Sequence, residues 1–182
     1  MQLAQKELTL KDGTPCLLKT PLPEDAEQFL SLMKTAAAET VFLLRYPEEV
    51  TLTAEEERDF LQDRLESPGS GFLSAWVNGR LVGNASFQPV GPHRKVLHRA
   101  GFGIAILKEY WGRGLGGSLT REILLAAKSA GYEQLELEVV GDNARAIALY
   151  EACGFVRYGM RPNAFRLKDG SYADEHLMVR KL

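Results

Sequence analysis

Residues 111–131, WGRGLGGSLTREILLAAKSAG, constrain the fold more than any other stretch of the chain. Gly112, Gly114, Gly116 and Gly117 run directly into a helix former that places Leu115, Leu119, Ile123, Ala126 and Ala130 on one face and stops at Gly131. The first turn of a helix offers unpaired N–H groups and the positive end of its dipole, and glycines let a ligand come close to that backbone. The segment therefore predicts a loop that binds an anion. An extended run, HRAGFGIAIL, precedes it. LELEVV follows, with Leu135, Leu137 and Val139 alternating against Glu136 and Glu138. Strand, loop, helix and strand make one βαβ unit with a crossover between parallel neighbours.

The flanks read as antiparallel structure. Asp12-Gly13, Asn78-Gly79 and Asp169-Gly170 each separate two extended runs, as hairpin turns do. Between the first two turns, EDAEQFLSLMKTAAAE carries Phe29, Leu30, Met33 and Ala37 at helical spacing. Thr53 with Glu56 forms a capping box that opens a second helix ending before Pro68-Gly69. Asn143 is placed to cap a helix over ARAIALYEAC, closed by Gly154. The expected fold is α/β: a mixed, mostly antiparallel sheet of about seven strands with a central βαβ unit and flanking helices. At 182 residues, one domain spanning 1–182 is the simplest organisation.

Charge and cysteine content narrow the function. With 22 Lys+Arg against 24 Asp+Glu there is no basic field of the kind nucleic acid requires. Cys16 and Cys153 are too few for a disulfide framework, and His93, His98 and His176 show no ligand spacing, so no metal is expected. The N-terminus lacks the pattern of a signal peptide and no apolar run reaches the roughly 20 residues of a membrane helix. These features predict a cytoplasmic protein that does not engage membranes.

Gly112, Gly114 and Gly117 satisfy G-x-G-x-x-G, so a dinucleotide fold is a rival reading. Against it, several strands precede the motif and only about 40 residues follow the second parallel strand, too few for a doubly wound sheet. The loop also lacks the Gly-Lys-Ser/Thr ending of a P-loop.

Four marks in order carry a resemblance: GIAI, WGRGLG, LEVVGDN and ALYEACGF. Together the chain resembles a GNAT-family N-acetyltransferase, whose pyrophosphate loop reads Gln/Arg-x-x-Gly-x-Gly/Ala. Trp111 departs from that pattern at its first position. The resemblance implies the GNAT fold and transfer of acetyl from acetyl-CoA to a primary amine of a small molecule or a peptide. A non-catalytic sensor that binds CoA or a nucleotide is the alternative, and a homodimer is a reasonable expectation.

The same resemblance assigns roles. The backbone of Gly112, Arg113, Gly114, Leu115, Gly116, Gly117 and Ser118 is expected to cradle the pyrophosphate. The strand end at Ile106 and Leu107 lends backbone groups to the cofactor, with the Ile106 N–H on the acetyl oxygen. Asn143 is expected on the pantetheine side. Tyr150 is the expected acid for the departing sulfur, since a phenol is protonated at neutral pH. Glu138 is the expected base, with Glu136 on the same strand face in reserve. In the family the segment between the first helix and the second strand walls the acceptor site. Here Phe42, Leu43, Leu44 and Tyr46 offer an apolar wall, and Glu48 and Glu49 are placed to draw in a cation.

Overall fold

In the computed structural model, which describes residues 1–182, the chain opens with a hairpin of β1 (Lys6–Thr9) and β2 (Pro15–Lys19). Helix α1 (Ala26–Glu39) follows, then α2 (Ala54–Glu66), whose Thr53 hydroxyl accepts from the Glu56 N–H at 3.2 Å while the Glu56 carboxylate accepts from the Thr53 N–H at 2.8 Å. That reciprocal cap fixes where α2 begins. Next come β3 (Gly71–Val77) and β4 (Arg80–Pro89), joined by Asn78-Gly79 with both residues at positive φ, 49° and 76°. Both central residues of a type I′ turn need that conformation.

The second half holds β5 (Arg99–Ile106), α3 (Leu115–Ser129), β6 (Gln134–Val140), α4 (Ala144–Ala152), β7 (Val156–Arg166) and β8 (Tyr172–Lys181). All eight strands, one more than expected, form a single sheet in the order β1-β2-β3-β4-β5-β6-β8-β7. Only β5 and β6 are parallel. The last strand inserts between β6 and β7, which leaves β7 at the edge. Met178 of β8, opposite Leu137, explains this choice, because it is fully buried and β7 is mostly exposed.

Helices cover both faces of the sheet. Phe29 of α1 and Phe60 of α2 pack on Phe72 of β3 with ring centroids 6.3 and 5.8 Å apart. On the other face Leu115, Leu119 and Ile123 of α3 are almost wholly buried, and Leu124 and Ala127 pack deeper than the expected Ala126 and Ala130. Each fully buried Leu or Phe contributes about 1.5–3 kcal/mol relative to exposure, enough to hold α3 and the loop ahead of it on the sheet. No helix is long and apolar enough to cross a membrane.

One core group opposes this stability. Glu57 of α2 is 3% exposed, its Oε1 has no partner, and burial pushes its carboxyl up to about 7 against the weaker attraction of Arg45. Between about pH 4.5 and 7 the native chain holds a proton that the unfolded chain has lost. Stability therefore falls as pH rises through that window, by on the order of 3 kcal/mol. Glu57→Gln is expected to raise the melting temperature by several degrees at pH 8 and to leave it nearly unchanged at pH 4.5. Equal shifts at both pH values in thermal denaturation would exclude Glu57 as the titrating group.

Candidate active site

Strands β5 and β6 pair only from Arg99 to Gly101 against Gln134 to Glu136, and then part. A bidentate ion pair pins the closed end, with Arg99 Nε and Nη2 donating to Glu136 at 2.5 and 2.7 Å. Strand β4 meanwhile follows β5 along its length. The Leu107 N–H donates to the Val82 carbonyl at 3.0 Å. Peptide groups alternate in direction along a strand, so those of Phe102, Ile104 and Ile106 turn away from β4 into the gap. The Ile106 carbonyl agrees with this, since it accepts from the Trp111 indole N–H at 2.8 Å.

A cavity of about 680 Å³ occupies the gap and reaches both faces of the sheet. On the α3 and α4 side it is lined by Ile104, Ile106, Gly112, Gly114, Gly116, Gly117, Asn143, Leu149 and Tyr150. On the α1 side its lining includes Ala36, Thr40, Phe42, Leu43, Leu44, Ala105 and Glu138.

At one end lies the glycine loop. The N–H groups of Gly112, Arg113, Gly114, Leu115, Gly116 and Gly117 have no acceptor within the protein, and the first one taken up is that of Ser118, by Gly114 O at 3.2 Å. Six free donors at the head of a helix suit a diphosphate in number and polarity. The glycines are there for two reasons. Gly114 sits at φ 88°, a left-handed conformation, while at Gly116 a Cβ would lie 3.0 Å from Leu149 Cδ2, so α3 and α4 approach closely only without one.

Deeper in the gap, Tyr150 is 6% exposed and held edge-on between Phe102 and Phe155, each 5.9 Å away. Its hydroxyl makes no hydrogen bond in the protein, and burial raises the phenol well above its usual range, so it stays protonated at any working pH. Asn143 caps α4, with Oδ1 accepting from the Ala146 N–H at 3.2 Å, and also lines the cavity. Opposite, Glu138 is more than half exposed and accepts from Arg161 Nη2 at 3.2 Å. Arg161 is shared with Glu175, whose carboxyl is raised mainly by burial and secondarily by the charge of Glu138.

Several expected residues lie elsewhere. The Leu107 N–H is spent on Val82 and its side chain is in the core, so only Ile106 of that pair faces the gap. Ser118 has its N–H inside the helix, and Leu115 contributes an N–H while its side chain is buried. Arg113 is turned aside to Asp12 at 2.8 Å. The reserve base Glu136 is off the cavity, its carboxyl held below the usual range by Arg99. Phe42, Leu43 and Leu44 do line the cavity. Tyr46 and Glu48 instead engage a cation of the same chain: Lys168, in the β7–β8 turn, lies 4.3 Å above the Tyr46 ring and pairs with Glu48. Glu49 accepts from the Tyr46 N–H at 2.7 Å.

Among the lining residues that were not foreseen are two cations, Lys11 and Arg145. Arg145 carried a signal, because a cation in the first turn of a helix opposes the dipole and calls for an anion nearby. Lys11 carried none, since it is remote from the loop in sequence and meets it only through the fold.

Comparison with known proteins adds to this geometry. Residues 36–155 match the family described as Acetyltransferase (GNAT) family. The chain is 37% identical over 119 residues to N-alpha-acetyltransferase RimI of Mycobacterium tuberculosis, covering 64% of this chain and 69% of that protein. It is 32% identical over 121 residues to the L-amino acid N-acetyltransferase AaaT of Escherichia coli, covering 65% and 74%. Among solved structures, a GNAT-family acetyltransferase from Streptococcus pneumoniae superimposes with a TM-score of 0.88 at 28% identity, over 92% of this chain and 99% of that one.

Proposed function

Because the chain belongs to the GNAT family and is an acetyl-CoA-dependent N-acetyltransferase, we propose that its acceptor is an α-amino group, of an amino acid or of a peptide N-terminus. RimI is an N-alpha-acetyltransferase and AaaT an L-amino acid N-acetyltransferase, and the site's chemistry supports the choice. Glu138 is solvent-exposed and shares the guanidinium of Arg161 with Glu175. An α-amino group near pKa 8 is neutral about one time in ten at pH 7, whereas a lysine amine near 10.4 is neutral only a few times in ten thousand. The first makes a modest demand on such a base.

The proposed division of labour follows the cavity from end to end. The free N–H groups of Gly112 to Gly117 hold the diphosphate. Ile106, whose N–H faces the gap, donates to the acetyl oxygen as negative charge builds there. Glu138 removes the proton that the amine sheds on forming the new C–N bond, and the Tyr150 hydroxyl donates to the sulfur as the C–S bond breaks. The observation that carries the assignment is the meeting of six unpaired N–H groups and an unpartnered buried phenol in one gap between parted strands. Cys16 and Cys153, both free and buried, agree with a reducing compartment, and we place the enzyme in the cytoplasm.

A thiol-release assay over an amine panel tests the acceptor. Amino acids and short peptides are expected to exceed ε-amines and polyamines by at least about a hundredfold in kcat/KM, in line with their neutral fractions. A preference for ε-amines would refute the α-amine reading. Glu138→Gln is expected to lower kcat about tenfold for an α-amine, a smaller loss than the 10²–10⁴ typical of an acid or base on which a reaction fully depends. An unchanged kcat would remove Glu138 from the mechanism.

A further inference from the structure

Strand β5 is large on one face and small on the other. Ile106 Cδ1 comes within 3.5 Å of the point where a Cβ on Gly116 would stand, so alternation turns Phe102, Ile104 and Ile106 toward α3, and Gly101, Gly103 and Ala105 toward α1. Gly103 lines the cavity and is exposed, although β5 lies in the middle of an eight-stranded sheet. No local requirement explains it. Its φ is not positive, its pairing with Ser86 carries no bulge, and a Cβ there would meet only Ser86 Oγ, at an ordinary 3.6 Å. A glycine inside a strand weakens it, and with turn, bulge and crowding set aside the remaining use is close approach by a ligand.

We propose that the acceptor's side chain lies across Gly103 and Ala105, beneath Ala36, Phe42, Leu43 and Leu44, in a pocket that selects α-amines carrying a large apolar side chain. The pocket deepens the reading of the acceptor as an α-amine and rests on it.

The surroundings suit such a guest. Ala36 is the residue that α1 sets into the cavity lining, so the helix above the floor contributes no more than a methyl group. Leu44 lines the cavity and is 80% exposed, which leaves apolar surface for the substrate to cover. Glu138 is the only charged residue on this side of the lining, so a carboxylate side chain would find no partner there.

Register places the reacting end. The last pair of β5 and β6 is Gly101 with Glu136, so Glu138, two residues on, is level with Gly103 across the gap and on the same face. An amine beside Glu138 therefore has its substituted carbon next to the floor. On the opposite flank Asn84 of β4 pairs with Ala105, is 7% exposed and has no partner for its Oδ1. Buried oxygens are seldom left so, and this one marks a place for a donor at the edge of the floor.

Thiol-release rates at saturating acetyl-CoA, with the amides of glycine, alanine, leucine and phenylalanine as acceptors, test the pocket. Leucinamide and phenylalaninamide are expected to exceed glycinamide by at least about thirtyfold in kcat/KM, since each buried methylene is worth about fourfold. Gly103→Ala and Gly103→Val should shrink that ratio stepwise, to within about threefold for the valine variant. Calorimetry should find acetyl-CoA affinity within about twofold of the unaltered protein, because the peptide of Gly103 faces β4 as that of Leu107 does and the groups turned to the gap are untouched. Valine suits a strand, and Gly103→Ala, which adds one methyl in ordinary contact with Ser86, carries the test if the larger variant loses stability. A flat or reversed order of acceptors in the unaltered protein would overturn the pocket and leave the α-amine reading standing. A ratio that survives substitution at Gly103 would overturn its placement on β5, and acetylation confined to ε-amines would overturn both readings.

Discussion

Replacing Tyr150 by Phe is expected to lower turnover by about 10²–10⁴-fold while leaving acetyl-CoA affinity within about twofold. The packing makes this a clean substitution. The ring is held edge-on by Phe102 and Phe155, contacts that a phenylalanine keeps. The hydroxyl it lacks has no partner in the protein, so no buried group is orphaned and the fold should lose nothing. What disappears is the one O–H donor whose burial keeps it protonated beside the gap. Single-turnover kinetics read the chemical step and calorimetry reads the affinity. Unchanged turnover across several amines would strip Tyr150 of its role as the acid.

Gly114→Asp is expected to abolish measurable acetyl-CoA binding, a loss of at least about a thousandfold. Three effects add. The residue sits at φ 88°, which costs a side chain about 1–2 kcal/mol. A Cβ there would press within 3.3 Å of Lys11 Cγ. The carboxylate would also place a negative charge among the donors intended for the diphosphate, and a like charge in that position repels the ligand by several kcal/mol. Gly114→Ala separates these causes, because it keeps the strain and the crowding without the charge and should lose only about tenfold. Calorimetry on both variants decides the matter, and intact affinity in Gly114→Asp would show that the phosphates bind elsewhere.

Much of the fold was legible because the relevant signals are local. Asn78-Gly79 turned where its dipeptide preference requires, Thr53 and Glu56 capped α2 reciprocally, and the alternation in β6 put Glu138 on the face away from Leu137. The glycine loop was legible for the same reason, as the need for free N–H groups and close approach is written into a few adjacent residues. What escaped was pairwise and distant. Nothing in a strand's own sequence says that β8 enters between β6 and β7, a choice made by Met178 finding the core. Glu48 read as bait for a cationic substrate and Tyr46 as part of an apolar wall until the fold brought Lys168 to both from the β7–β8 turn. Glu136 and Glu138 were indistinguishable by pattern. Arg99 lies on the neighbouring strand where β5 and β6 still pair, so it takes Glu136 and leaves Glu138 at the cavity. Leu107 fell out of the site by one residue, because alternation turns its N–H to Val82 and that of Ile106 to the gap.

The grip of the loop on a diphosphate is tested most directly by following the backbone amides of Gly112 to Gly117 by ¹⁵N NMR as acetyl-CoA is added. These six N–H groups are expected to shift downfield and to gain protection from hydrogen exchange, while Ser118, already bonded to Gly114, changes far less. Amides that stay put while acetyl-CoA binds would contradict the cradle and, with it, the aim of the thioester along β5.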